Sequence, residues 1–111
     1  MQISPYLQRF EHSYGFYCPS CKVLHTVRTD NRHAHNWIFD GNVNKPTFNP
    51  SVKVEWPQPD VNGRYICHFF VRSGKLEYCG DTTDREYSGK IVDLPELPTE
   101  WQDPEYYLGN V

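Results

Sequence analysis

Tyr14-Gly15-Phe16-Tyr17-Cys18-Pro19-Ser20-Cys21-Lys22-Val23-Leu24-His25-Thr26-Val27-Arg28 places a Cys-x-x-Cys motif between two runs of aromatic and β-branched residues. Such runs read as strands, and a tight turn between them aims both sulfurs at one point. Soft thiolates at that spacing suit zinc. A redox dithiol uses the same spacing but normally sits at a helix N-terminus, which lowers the thiolate pKa. With strands on both sides, Cys18 and Cys21 are expected to hold one structural zinc ion.

A closed zinc site needs about four ligands, so two more are sought among His25, Cys67, His68 and Cys79. Tyr65 to Cys79 reads as a hairpin turning at Arg72-Ser73-Gly74-Lys75, and its register decides which side chains meet. A two-residue loop at Ser73-Gly74 sets His68 opposite Cys79 but requires Ser73 at positive φ. A three-residue loop with Gly74 as a left-handed bulge avoids that cost and sets Cys67 opposite Cys79. The second register is easier for the backbone, and it gives Cys18, Cys21, Cys67 and Cys79 as the expected ligand set. Neighbouring strand residues point to opposite faces, so His68 is then left for another role. His25 can replace one thiolate, although a histidine there more often packs beside the knuckle.

The rest of the chain is punctuated by nine prolines and seven glycines and shows no helical periodicity. Further strands are expected at Asn36–Phe39, Ser51–Trp56 and Lys90–Leu94. Turns are expected at Thr29-Asp30-Asn31-Arg32, Asp40-Gly41-Asn42, Pro57-Gln58-Pro59-Asp60 and Asn62-Gly63. These predict an all-β fold with a short helix or none: a small antiparallel or mixed sheet stapled by zinc, in a single domain over residues 1–111. From about Glu96 the chain reads as an irregular tail packed by Trp101, Tyr106 and Tyr107. A domain of this length buries only about two thirds of its unfolded surface, so a metal staple adds needed stability. A net charge of -3 with scattered Lys and Arg argues against a nucleic-acid partner, and no apolar stretch is long enough for a membrane span. The first residues carry neither a basic leader nor an apolar run, which sets a cytoplasmic location and reduced thiols as the expectation.

Five motifs in order carry a family resemblance: Cys18-Pro19-Ser20-Cys21 with His25; Trp37-Ile38-Phe39-Asp40-Gly41 followed by Lys45-Pro46-Thr47-Phe48-Asn49-Pro50-Ser51-Val52; Cys67-His68-Phe69-Phe70-Val71-Arg72-Ser73-Gly74; Gly80-Asp81-Thr82-Thr83; and Gly89-Lys90-Ile91-Val92-Asp93-Leu94-Pro95. Over residues ~14 to 95 the chain resembles a family of small zinc-binding proteins from phages and bacteria. Some members lie in bacterial ubiquitination-like (Bub) operons. There the resemblance implies a peptidase that processes or removes a ubiquitin-like modifier, which would make that modifier or its conjugate the protein partner. A phage copy standing alone would have another role or counter such a host pathway. The chain departs from the family after Asp81, where a Thr-His pair is common and this sequence has Thr83-Asp84.

Serine-type hydrolysis needs a nucleophile, a base in hydrogen-bond reach and a group that orients the base. Ser51 opens a strand behind Pro50, which restricts the backbone before it; His68 would be the base and Asp81 the orienting carboxylate. The favoured register puts His68 and Asp81 on opposite faces unless Gly80 breaks the alternation. Thr47 and Asn49 are candidate donors to a developing oxyanion, or simply close their own turn. His33 and His35 read as loop residues. A metallohydrolase is disfavoured because four thiolates close the metal's shell, and only a mixed site with His25 or His68 would revive it. The non-enzymatic alternative is a zinc-ribbon-like protein-interaction module.

Overall fold

Alternating burial along the chain builds two antiparallel sheets in the computed structural model, which describes residues 1–32, 34–58 and 63–109, without the side chains of 58 and 107–109. The first sheet runs β1-β2-β3, from Gln8–Arg9, Ser13–Cys18 and Val23–Arg28. The second runs β4-β5-β6-β7-β8, from Ile38–Phe39, Phe48–Gln58, Gly63–Arg72, Lys75–Tyr78 and Ile91–Asp93. The all-β reading holds, and the expected strands correspond to β2 through β8. The first strand, β1, went unread because two residues carry no alternation. Pro57 and Gln58, expected to open a turn, continue β5, while the rest of that turn and Asn62 of the next lie outside the described residues. Among the described residues no helix is long and apolar enough to cross a membrane.

Period-two patterning aims one face of each sheet at the other. Phe16 and Cys18 of β2 and Val27 of β3 are fully buried, as are Cys67, Phe69 and Val71 of β6 and Leu76 of β7. Phe16 stacks on Phe48 with ring centroids 5.9 Å apart and meets Phe69 edge-on at the same separation. These geometries are the favoured ones for aromatic pairs. The tail forms a 3-10 turn at Thr99–Trp101 and a short helix, α1, at Pro104–Gly109. It is pinned by buried Leu97, whose N–H donates to the Pro5 carbonyl (2.9 Å), and by the Asp103 carboxylate, which accepts from the Gln2 N–H and from Gln8 Nε2. Of the aromatics expected to pack the tail, Trp101 is 41% exposed, Tyr106 is half-buried, and the Tyr107 side chain lies outside the described residues.

The β6–β7 hairpin takes the register that the backbone rule disfavours. Val71 pairs with Leu76 and Arg72 with Lys75, leaving a two-residue loop with Ser73 at φ 49° and Gly74 at φ 75°. Tertiary contacts supply what local propensity lacks. The Ser73 N–H donates to Thr47 Oγ1 (2.8 Å) and the Gly74 N–H to the Pro46 carbonyl (3.0 Å). A Cβ on Gly74 would stand 3.0 Å from Lys45 Cα, so the neighbouring loop is moulded around a glycine. Thr47, a candidate oxyanion donor from the sequence, accepts through its hydroxyl oxygen to hold this turn.

Ser73→Asn should raise stability by roughly 0.5–1 kcal/mol, because Asn tolerates the left-handed conformation better and keeps the N–H that binds Thr47. Urea unfolding checks it; a loss of stability would show that the serine hydroxyl matters more than the backbone.

Candidate active site and metal centre

Strand β6 carries two kinds of chemistry on its two faces. Cys67 and Phe69 point into the core, whereas His68 and Phe70 point out of the sheet. On the outer face His68 stands opposite Lys53 of β5. The β5–β6 register shifts between Phe48 and Val52, a bulge that contains the cis Asn49–Pro50 peptide and delivers Ser51 next to His68. Ser51 Oγ lies 3.1 Å from His68 Nε2. On the other side of the ring, His68 Nδ1 lies 2.9 Å from Asp81 Oδ1 and 3.1 Å from Oδ2.

Asp81 reaches that position because the strand ends at Tyr78 and the chain turns at Gly80-Asp81. Beyond the turn, two threonines take over the pairing along β6. The buried Thr82 hydroxyl accepts from the His68 N–H (3.2 Å) and donates to the His68 carbonyl (2.9 Å). Thr83 does the equivalent one pair further, its Oγ1 accepting from the Ile66 N–H (2.8 Å) and its N–H donating to the Ile66 carbonyl (2.8 Å). The expected separation of His68 from Asp81 belonged to the three-residue loop; in the observed register Cys79 stands opposite His68, so Asp81, two residues on, shares that face without any break at Gly80, and Thr82 clamps the histidine backbone at both ends.

Burial works to raise the Asp81 carboxyl, but the hydrogen bond from His68 and the Lys53 ammonium, 3.5 Å from Oδ2, hold it below its ordinary range. An ionised carboxylate only accepts, so Nδ1 carries a proton, and in the neutral ring Nε2 presents its lone pair to the Ser51 hydroxyl. An open cleft of about 440 Å³ lies beside Ser51, lined by Ala34, His35, Asn36, Trp37, Pro50 and Lys53. His35, read from the sequence as a plain loop residue, thus borders the site; His33 lies outside the described residues.

On the inner face of the same strand, ligand atoms of Cys18, Cys21, His25 and Cys67 all lie within 4.8 Å of one another. This buried cluster can hold a metal ion. Cys79, expected as the fourth ligand, is not part of it. The two-residue hairpin loop sets Cys79 opposite His68, its N–H donating to the His68 carbonyl at 2.8 Å, and its thiol groups with His68 and Asp81 outside the core. His25 takes its place through the register of the other hairpin. Cys18 pairs with Val23 and Phe16 with His25, so the histidine shares the inward face with Cys18. That face relation follows from pairing the strands across Pro19-Ser20-Cys21-Lys22, a signal the sequence reading did not use.

Three observations fit a cation here. His25 Nε2 is the one buried side-chain nitrogen or oxygen without a hydrogen-bond partner among the described residues, an arrangement that is costly unless something else binds it. The Cys18 and Cys67 sulfurs are 3.7 Å apart, and the edge of a tetrahedron with metal–sulfur bonds of about 2.3 Å is ~3.8 Å. The Cys21 N–H points at Cys18 Sγ (3.4 Å) and the Tyr78 hydroxyl lies 3.1 Å from it. Hydrogen bonds from Cys21 and Cys67 hold the Cys18 thiol far below its usual range, and the same contacts push Cys21 up to about 12 and Cys67 up as well. Thiols packed this closely cannot all ionise without a positive charge between them.

His25→Ala should therefore lower the metal bound per purified chain, whereas Cys79→Ser should leave it unchanged. Elemental analysis decides; the reverse pattern would return Cys79 to the ligand set.

The family model described as BubE, bacterial ubiquitination-like system serine protease, matches residues 2–79. The match contains Ser51, His68 and the whole Cys/His cluster and stops just short of Asp81. No curated protein and no solved structure matches the chain.

Proposed function

The chain belongs to the BubE family of serine proteases of bacterial ubiquitination-like systems, and from that premise we propose that it cleaves the C-terminal peptide or the conjugate of a ubiquitin-like protein, with Ser51 as nucleophile, His68 as general base and Asp81 as the group that orients it. The observation that carries this reading is the continuous run of hydrogen-bond contacts from Ser51 Oγ through both ring nitrogens of His68 to Asp81. The order and roles of the three groups satisfy the requirements of serine acyl transfer.

In the proposed reaction Ser51 Oγ attacks the scissile carbonyl as its proton passes to His68 Nε2. The imidazolium formed is stabilised by Asp81 through Nδ1. Collapse of the tetrahedral adduct breaks the C–N bond, and the proton on Nε2 goes to the leaving amine. Water, deprotonated by the same nitrogen, then hydrolyses the serine ester and restores the hydroxyl.

The metal is proposed to be zinc in a structural role, held by Cys18, Cys21, His25 and Cys67. Replacing one thiolate by His25 makes the site mixed, the condition under which zinc hydrolysis was considered. Four protein ligands leave no open position, however, and Cys18 and Cys67 are fully buried. When bound, zinc would contribute folding free energy rather than chemistry. Its thiolates suit a reducing compartment such as the cytoplasm.

Ser51→Ala, His68→Ala and Asp81→Asn should each lower kcat on a ubiquitin-like precursor by roughly 10³–10⁶-fold, with metal content and Tm near those of the wild type. Full activity in the Ser51 and His68 variants would remove these residues from the mechanism, and no cleavage by the wild type would leave the interaction module. Thr82→Val, which loses the clamp but no reacting group, should lower kcat more than it raises KM; an unchanged kcat would show that the His68 backbone needs no such support.

A further inference from the structure

The main-chain groups of β6 reveal which edge of β5 is free. His68 and Ile66 both commit their N–H and C=O groups to the β7 side, through Cys79, Thr82 and Thr83. In an antiparallel ladder a residue that bonds one neighbour is in a non-hydrogen-bonded pair with the other. Lys53 and Glu55, the β5 partners of His68 and Ile66, therefore turn their own N–H and C=O groups away from β6. On that side β4 covers only Phe48 and Asn49. Among the described residues no strand pairs with the edge from Lys53 onward.

Two further observations agree. Pro57 has the same parity, opposite Arg64, and a proline is tolerated in a strand where its missing N–H would face outward. The Trp37 indole N–H reaches the Ser51 carbonyl (3.3 Å) from this side, closing the covered stretch where the cleft at Ser51 opens.

We propose that this edge is the substrate cradle: an extended peptide segment adds to the sheet as a strand beside β5, hydrogen-bonded to the main chain of Lys53 and Glu55, and delivers its scissile carbonyl to Ser51. The occupant is a peptide because the edge offers paired donors and acceptors repeating every two residues, about 6.6 Å, which only another extended backbone matches along its length. Continuity with Ser51 sets where that backbone leads. Main-chain pairing gives affinity with little demand on side chains, a mode suited to a narrow tail lacking large residues. The proposal rests on Ser51 as nucleophile for its purpose, but not for its test.

The test uses binding, with Ser51→Ala as the background. A random octapeptide library is selected on this variant, and the tightest peptide is remade with single N-methyl groups at each position. Methylation at two positions separated by one residue should each weaken binding about fivefold, the size of one hydrogen bond, while the residue between them tolerates it. Glu55→Pro, which deletes the outward N–H without touching the β5–β6 ladder, should weaken binding about fivefold relative to Glu55→Ala, which keeps it. Absence of any library binder, methyl effects without a two-residue period, or equal affinity in folded proline and alanine variants would overturn the proposal. If the proline variant does not fold, the methyl scan decides. Periodic binding with no hydrolysis by the wild type would sink the peptidase reading alone; hydrolysis without periodic binding would sink the cradle alone.

Discussion

The alternation of side chains at Cys67 and His68 is the constraint from which the rest of this structure follows. One strand sends a thiol into the core and an imidazole out of it, and the two sheets are arranged so that each finds its partners. Inward, Cys67 meets Cys18, Cys21 and His25 from the first sheet, at the place where Phe16 and Phe69 also join the sheets. Outward, His68 meets Ser51 and Asp81. A shift of β6 by one residue would exchange the faces and destroy both clusters at once. The Cys/His cluster and the proposed triad are thus coupled through backbone position and not through direct contact.

That coupling explains why several local rules are broken around β6. Ser73 adopts a conformation that costs a non-glycine residue free energy, and the bulge around Pro50 interrupts an otherwise regular ladder. Each departure aims a particular group. The two-residue turn fixes Cys79 opposite His68, from which the next turn can carry Asp81 to Nδ1; the bulge sets Ser51 at Nε2. Thr82 and Thr83 then replace a missing strand with side-chain hydroxyls, so that β6 stays paired where β7 has already ended. Local irregularity next to regular strands is where proteins commonly position reacting groups.

How much of this was legible in the sequence depended on whether local chemistry or tertiary support decided the matter. The all-β class and seven of the strands follow from aromatic and β-branched runs between turn residues, which local propensity governs. Cys18 and Cys21 follow from the knuckle spacing, and Ser51, His68 and Asp81 could be named as a group. The hairpin register could not be read, because Thr47 and Pro46, remote in sequence, stabilise the left-handed Ser73. From that one step came the misplacement of Cys79. His25 was readable in principle: once β2 is paired with β3 across the knuckle, the histidine has to share the face of Cys18.

The division of the two faces also bears on why a chain this small combines a buried Cys/His cluster with a surface cleft. A domain of about a hundred residues has little core to hold irregular segments in place, yet a serine site needs its three groups held within tenths of an ångström. Here the cluster joins both sheets directly beneath His68, and Asp84, next to Thr83, accepts a hydrogen bond from Ser20 inside the knuckle (3.1 Å). The turn that supplies Asp81 is thereby tied to the turn that supplies Cys18 and Cys21. A metal bound in the cluster would thereby stiffen both turns, while among the described residues no strand pairs with the edge of β5 from Lys53 onward, beside Ser51.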